Sequence, residues 1–202
     1  VVMDEVGMPE CLTAKQIGKV MKHTFRHWNE TEYGRLLQKL SLPDNKPFKA
    51  FSRGMKMKLG IAVAMSHGAK LLLLDEPTSG LDPATADEIQ KMIQKEKEKG
   101  KTIFLTTHTM TEAEKLCDNV ALLSDGKIVE YGNPKEICRR YNHQKKLKIH
   151  LTDGTEKEIP HDENSAEIIS ELIKSGRAET IHTTEPDLET VFMELTGKEL
   201  TA

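Results

Sequence analysis

Apolar residues recur along the chain at two spacings, and the change of spacing predicts alternating helices and strands. Between residues 13 and 40 they return every three or four positions, which is typical of amphipathic helices. Ser52 is a suitable N-cap for a third helix that runs to Gly68. Short apolar runs within residues 70–74 and 102–107 predict buried strands instead. Because strands and helices alternate, the sequence predicts an α/β fold with a parallel sheet.

Residues 142–202 have a different pattern and a different charge. They carry seven basic and 13 acidic side chains, whereas residues 1–141 carry 22 basic and 19 acidic ones. We therefore place a domain boundary between residues 141 and 142. The second part is predicted to be a small α+β module without a catalytic cluster, made of a hairpin at 147–159, helices at 165–174 and 186–195, and a strand at 179–182.

Composition narrows the class of protein. Of the 202 residues, 37% are hydrophobic and 30% are charged, which is typical of a globular protein. The formal net charge of −3 argues against general nucleic-acid binding, and we predict no nucleic-acid partner. No apolar stretch approaches the roughly 20 residues that a membrane-spanning helix needs. The three cysteines lack a metal-binding spacing and fit a reducing cytoplasm.

Two consecutive carboxylates, Asp75 and Glu76, follow the first predicted strand. This position is the carboxyl edge of the sheet, where open α/β folds bind ligands. Asp75 can hold Mg²⁺ through water, while Glu76 can orient or deprotonate an attacking water. The alternative is a strand end that carries two solvated acids.

Three other segments contain residue types that suit phosphate chemistry. Ser52 and Gly54 lie at the start of a predicted helix, where free N–H groups and the helix dipole favour an anion. Asp82 precedes a proline at the predicted start of another helix, and His108 follows the second predicted strand. Taken singly, the first segment is equally typical of a helix cap, the second of a turn and the third of a surface histidine.

In this order and spacing, the segments resemble the nucleotide-binding subunits of ATP-binding cassette transporters. The matching parts are the signature loop (52–56), the Walker B strand with its glutamate (70–76), the D-loop (79–82), the switch histidine (His108) and the following hairpin (120–134). The C-terminal part looks like the extension of bacterial drug- and antibiotic-export cassettes. The resemblance implies a P-loop NTPase-like cassette over residues 1–141, with a helical subdomain and signature helix at about 12–66.

The resemblance also implies a role for each matching residue. In the family, two subunits enclose two ATP molecules, each with Mg²⁺. Asp75 is therefore expected to hold the metal, Glu76 to act on the attacking water and His108 to contact the γ-phosphate. Ser52 and Gly54 are expected to contact the γ-phosphate of the ATP that the partner subunit binds.

The sequence departs from the family pattern near these positions. Arg53 and Met55 stand where glycine and glutamine are common, and we expect both to contact nucleotide together with their neighbours. Asp82 is expected to couple the two sites. Asp4 occupies the Q-loop position, and its carboxylate is expected to bind magnesium-bound water. The phosphate loop G-x-x-x-x-G-K-[ST] does not occur in the 202 residues, so we expect an N-terminally truncated cassette that is inactive alone.

The function that the resemblance implies is ATP hydrolysis that powers export of a substrate through a separate membrane permease. The expected partners are that permease and a second nucleotide-binding subunit, in a homodimer or a heterodimer. The expected location is the cytoplasm, on the inner face of the cell membrane. Two alternatives remain open, namely a non-transport cassette ATPase, such as a translation or repair factor, and a non-catalytic regulatory fragment.

Overall fold

The computed structural model describes residues 1–142, 146–160, 164–184 and 186–197. It divides into two compact units, Val1–Glu112 and Ala113–Ala202. In the described residues, no helix combines the length and the apolar character that crossing a membrane requires.

The first unit contains a parallel pair of strands and four complete α-helices, of which the fourth lies between the two strands in the sequence. In chain order these are α1 (Ala14–Thr24), α2 (Glu30–Lys39), a 3₁₀ turn (Phe48–Ala50), α3 (Arg53–Met65), β1 (Leu71–Asp75), α4 (Pro83–Glu98), β2 (Thr102–Thr106) and the start of α5 (Met110–Leu116). The predicted helices, strands and α/β class are confirmed.

Local capping explains where the first helices begin. Thr13 and Gln16 form a capping box at α1, and the Ser52 hydroxyl accepts a hydrogen bond from the Met55 N–H at α3. Close packing then joins α1 to α2, because a Cβ on Gly18 would lie 2.5 Å from the Tyr33 ring. The Tyr33 hydroxyl donates to a backbone oxygen of α1 at 2.7 Å.

The strand pair is parallel, as predicted. Leu71 pairs with Thr102 and Asp75 with Thr106, so both strands end at the same level. Val2 adds a short parallel bridge beside Leu74, and the Asp75 N–H donates to the Val2 oxygen at 2.9 Å. The N-terminal segment therefore lies next to the strand that carries the two carboxylates.

In its described residues, the second unit contains a hairpin, a three-stranded antiparallel sheet and three helices besides α5. The elements are β3 (Val120–Ser124), β4 (Lys127–Gly132), α6 (Pro134–Arg140), β5 (Lys146–Leu151), β6 (Glu156–Pro160), α7 (Ser165–Lys174), β7 (Ala178–Thr184) and α8 (Leu188–Thr196). The sheet has the order β6-β5-β7, and its core contains Leu147, Ile149, Ile159 and Leu172. The predicted α+β elements of this region are confirmed.

The boundary predicted between residues 141 and 142 falls inside the second unit. There α6 packs against α8, and the Leu188 N–H at the start of α8 donates to Glu114 Oε1 at 2.7 Å. These contacts join residues on both sides of position 142, so the change of charge does not coincide with a change of compact unit. As a functional boundary, position 142 stays a prediction.

Candidate functional site

The carboxyl ends of β1 and β2 bring Asp75 and Thr106 together. Parallel strands end at one edge of a sheet, and these two residues are register partners. The Thr106 hydroxyl donates to Asp75 Oδ1 at 2.6 Å, and among the described residues no bond to Oδ2 occurs, so Oδ2 can accept from another group. Asp75 is thus held in place by a residue that sequence reasoning missed.

Glu76 turns the chain sharply away from the strand direction. Its φ angle of 47° lies in the left-handed region, which is uncommon for a residue with a side chain. Two backbone bonds hold the turn, since the Glu76 N–H donates to Thr106 O and its carbonyl accepts from the Ser79 N–H, both at 3.1 Å. The turn lets two consecutive carboxylates have different partners.

The partner of Glu76 is His108. Its Nδ1 lies 2.9 Å from Glu76 Oε2, with half of the histidine side chain and a quarter of the glutamate side chain exposed. An imidazole and a carboxylate at this distance can orient each other and exchange a proton, and Nε2 can serve a further ligand. The structure therefore brings together Asp75, Glu76 and His108 at one sheet edge.

The signature-like segment lies at the start of α3. Gly54 approaches α4 closely, because a Cβ there would lie 3.1 Å from Thr85 Cγ2. One turn further on, Lys58 and Glu88 form an ion pair at 2.5 Å that also joins α3 to α4. Glycine at position 54 thus permits the two helix N-termini to lie side by side.

Arg53 has partners within this chain. Its guanidinium donates to Asp4 Oδ1 at 2.5 Å, and a Cβ on Gly80 would lie 2.8 Å from its Nη1. Arg53 therefore connects the N-terminal segment, the start of α3 and the loop before α4. The nucleotide contact predicted for Arg53 and the magnesium-water contact predicted for Asp4 stay predictions.

Asp82 caps α4, as the sequence predicts. Its Oδ1 accepts from the Thr85 N–H at 3.0 Å, and bonds from the backbone and hydroxyl of Thr85 hold the pKa of Asp82 below its usual range. This bond accounts for a local structural role. Its coupling role between two sites stays a prediction.

The chemistry of the donor set fits magnesium bound to a nucleotide. In the described ranges, no group of three or more His, Cys, Asp or Glu side chains could hold a metal ion by itself. Mg²⁺ at nucleotide sites usually has only one or two carboxylate ligands, with phosphates and waters completing the shell. Asp75 suits such a site, because Thr106 bonds to its Oδ1 and not to its Oδ2.

Comparison with known proteins connects this geometry to a family. Residues 29–113, less than half of the chain, match a family model described as "AAA domain, putative AbiEii toxin, Type IV TA system". The "Fluoroquinolones export ATP-binding protein Rv2688c" of Mycobacterium tuberculosis is 39% identical over 157 residues, which is 75% of this chain and 52% of that protein. The "Lantibiotic transport ATP-binding protein SrtF" of Streptococcus pyogenes is 40% identical over 114 residues, which is 54% of this chain and 50% of that protein.

A solved structure agrees with these relatives. The structure described as "Structure of ATP binding subunit of ABC transporter" superposes with a TM-score of 0.59 at 30% identity, over 67% of this chain and 58% of that one. The chain belongs to the ATP-binding cassette family. The predicted family and P-loop NTPase-like cassette fold are confirmed, and this cassette chain spans about half the length of the curated relatives it matches.

Two polar residues of this cassette chain were not singled out from the sequence. Thr78, two residues after Glu76, donates through its hydroxyl to Glu112 Oε1 at 2.9 Å, and the Glu112 side chain is buried. The available signal was a glutamate on the apolar side of the short helix that follows His108. The bond between Thr78 and Glu112 can be recognised only when the loop after β1 is known to lie against that helix.

Proposed function

We propose that this chain is part of an ATP-hydrolysing subunit that powers export of a substrate through a separate membrane permease. The observation that carries the proposal is the cluster at the sheet edge, where Thr106 bonds with Asp75 and His108 with Glu76. The relatives' names support it, because they describe ATP-binding proteins for the export of fluoroquinolones and the transport of lantibiotics and bacitracin.

The cluster supplies the groups that hydrolysis of a phosphoanhydride needs. Water oxygen bonds to the γ-phosphorus while the bond to the ADP oxygen breaks, and Glu76 accepts the proton that the water loses. His108 orients Glu76 through Nδ1 and contacts the γ-phosphate through Nε2. Asp75 would hold Mg²⁺, which would neutralise phosphate charge there.

A second nucleotide-binding subunit completes the proposed site. In this arrangement the start of α3, residues 52–55, contacts the nucleotide that the partner subunit binds, through N–H groups and the helix dipole. Gly54 lets the start of α3 lie close against α4, and Asp82 couples the two sites through the loop before α4. Asp4 would bind magnesium-bound water, with Arg53 turned from it towards phosphate.

The 202-residue chain lacks one part that ATP binding needs. The 202 residues contain no G-x-x-x-x-G-K-[ST] segment, which supplies the N–H groups and the lysine that neutralise β- and γ-phosphates. We therefore expect these residues alone to be inactive. Through the permease, the protein is peripheral on the cytoplasmic face of the membrane.

The test compares two proteins. One is expressed from the natural gene with any residues that the gene encodes before Val1, and the other is the 202-residue chain. We expect phosphate release from Mg-ATP by the first protein and co-purification with a membrane permease. We expect no ATP binding by the 202 residues in calorimetry. An inactive natural-gene protein contradicts the proposed function, while micromolar ATP binding by the 202 residues contradicts their expected inactivity.

A further inference from the structure

Glu112 is a buried carboxylate with only one hydrogen-bond partner in the described part of the chain. Its residue surface is 1% exposed, and Oε1 accepts from the Thr78 hydroxyl at 2.9 Å. Among the described residues, no group bonds to Oε2. Burial of a carboxylate with incomplete hydrogen bonding is costly, and an apolar side chain of similar size would stabilise the same place better. Stability alone therefore gives no reason for a glutamate here.

The position of the Thr78–Glu112 bond, close to Glu76 and His108, gives a reason for a glutamate at position 112. Thr78 lies two residues after Glu76, and Glu112 lies four residues after His108. The contact between Glu76 and His108 and the bond between Thr78 and Glu112 therefore join the same two segments twice. The structure forms a closed ring from the β1 end to the α5 start and back.

The two contacts of the ring differ in their environment. The His108 side chain is half exposed, and exposed pairs of this kind contribute little to holding two segments together. The Thr78–Glu112 bond is buried on the glutamate side, where less water competes for it and a hydrogen bond is stronger. Backbone bonds fix both flanks, from the Ser79 N–H to Glu76 O at 3.1 Å and from the Glu112 N–H to Thr109 O at 3.0 Å.

We propose that the Thr78–Glu112 bond sets the distance between Glu76 and His108, so that Thr78 and Glu112 are positioning residues for the reaction. The consequence for turnover rests on the proposed ATPase function, whereas the consequence for geometry does not. Small misplacements of catalytic groups lower the rate steeply, although the groups themselves remain. Loss of the bond should therefore lower kcat without weakening the binding of ATP.

The experiment compares three single variants of the protein expressed from its natural gene. Thr78→Val removes the hydroxyl at nearly constant shape, and Thr78→Ser keeps it. Thr111→Val makes the same chemical change as Thr78→Val at an exposed position of α5, next to Glu112. The measurements are kcat and KM for Mg-ATP, the melting temperature, and the ¹⁵N signals of the His108 imidazole, which are assigned by their absence in His108→Ala.

For Thr78→Val we expect a kcat about tenfold lower, equivalent to about 1.4 kcal/mol of barrier, with KM changed less than twofold and the His108 signals shifted. Thr78→Ser and Thr111→Val should leave all of these at the unmutated values. A folded Thr78→Val protein with unchanged kcat and unchanged His108 signals overturns the proposal. So does a Thr78→Ser protein that loses as much activity as Thr78→Val.

A second variant keeps the test decisive if Thr78→Val fails to fold. Thr78→Val with Glu112→Leu removes both polar partners, which avoids leaving a buried carboxylate unpaired. This double variant should fold, keep the tenfold loss of kcat and shift the His108 signals. If its kcat and its His108 signals equal those of the unmutated protein, the proposal is overturned. If the unmutated protein hydrolyses no ATP, the proposed function fails, and the His108 signals still decide whether the bond positions the histidine.

Discussion

Two of the sheets in the described residues, the parallel β1-β2 pair and the antiparallel β6-β5-β7 sheet, differ in where they place polar side chains. At the end of the parallel pair, the side chains bond to one another, from Thr106 to Asp75 and from His108 to Glu76. In the antiparallel β6-β5-β7 sheet, the polar pair between Lys148 and Glu156 lies on the outside. Parallel neighbours end at the same edge, whereas antiparallel neighbours end at opposite edges. Strand direction therefore decides which sheet gathers chemical groups.

The two sheets also differ in how far their apolar side chains are buried. Ile149 at the centre of the antiparallel sheet is fully buried beneath α7 and its neighbours. In the parallel pair, Leu72 and Leu74 are buried, but Leu71 and Phe104 each expose more than half of their surface. The antiparallel sheet therefore has a core of its own, while the parallel pair contributes the candidate site. The core cluster of the antiparallel sheet contains none of the candidate site residues.

The largest expected effect is at Glu76, the proton acceptor of the proposed mechanism. Glu76→Gln keeps the size of the side chain but cannot accept a proton, so turnover should fall by about 10²–10⁴-fold, or about 3–5 kcal/mol of barrier. Phosphate release by the protein expressed from its natural gene measures the loss, and gel filtration with Mg-ATP measures any dimer that is trapped. Glu98→Gln, an exposed glutamate at the end of α4, is the matched control. Near-normal turnover in Glu76→Gln would remove Glu76 from the reaction.

The next effect concerns the core of the antiparallel sheet. Ile149→Ala should lower the free energy of unfolding by about 2–5 kcal/mol, because it leaves a cavity among buried side chains. Ile173→Ala makes the same change at an exposed position of α7 and should cost less than about 0.5 kcal/mol. Urea unfolding measures both variants. If folded Ile149→Ala loses turnover as Glu76→Gln does, the separation of chemistry from this core is wrong.

Sequence reasoning succeeded where the cause was local. Ser52 and Asp82 cap their helices through bonds to residues three positions away, and such spacings are visible in the sequence. The carboxylates at the end of β1 were found because a short apolar run ends directly before them. Such features can be predicted without knowing which residues pack beside them.

Sequence reasoning failed where two distant segments have to meet. The Thr106–Asp75 bond depends on a strand register across 31 positions, and the Thr78–Glu112 bond spans 34. The pair of Arg53 with Asp4 spans 49 positions and depends on how the N-terminal segment lies beside the start of α3. The site residues were therefore identified singly, while the bonds that position them required the fold.

A third and smaller effect contrasts a structural carboxylate with Glu76. Glu114 Oε1 accepts from the Leu188 N–H at the start of α8, so Glu114→Ala should lower the free energy of unfolding by about 1–2 kcal/mol. Glu114→Gln keeps an acceptor oxygen and should cost less than the alanine variant. Thermal unfolding measures this difference. Equal losses in the two variants would mean that charge, rather than the hydrogen bond to α8, is what Glu114 contributes.

The smallest effect concerns Glu96, a structural carboxylate of the first unit whose side chain is 8% exposed. Lys99 and Lys101 each lie 2.6 Å from its oxygens. Burial raises the pKa of Glu96, but the hydrogen bonds and charges of Lys101 and Lys99 together lower it below 4.5. A carboxylate with a lowered pKa in the folded state stabilises that state above the pKa of the unfolded chain and loses this contribution as the pH falls.

Glu96→Gln should therefore cost about 1 kcal/mol of unfolding free energy at pH 7, because the lysines are left without their carboxylate. The difference between the two proteins should shrink as the pH falls through the lowered pKa of Glu96, since the unmutated side chain then loses its charge as well. Urea unfolding at pH 7 and at acidic pH measures this convergence. Glu30→Gln, which breaks an exposed pair with Lys22, should change stability little at either pH. A constant cost of Glu96→Gln across this range would assign the contribution of Glu96 to its packing rather than to its charge.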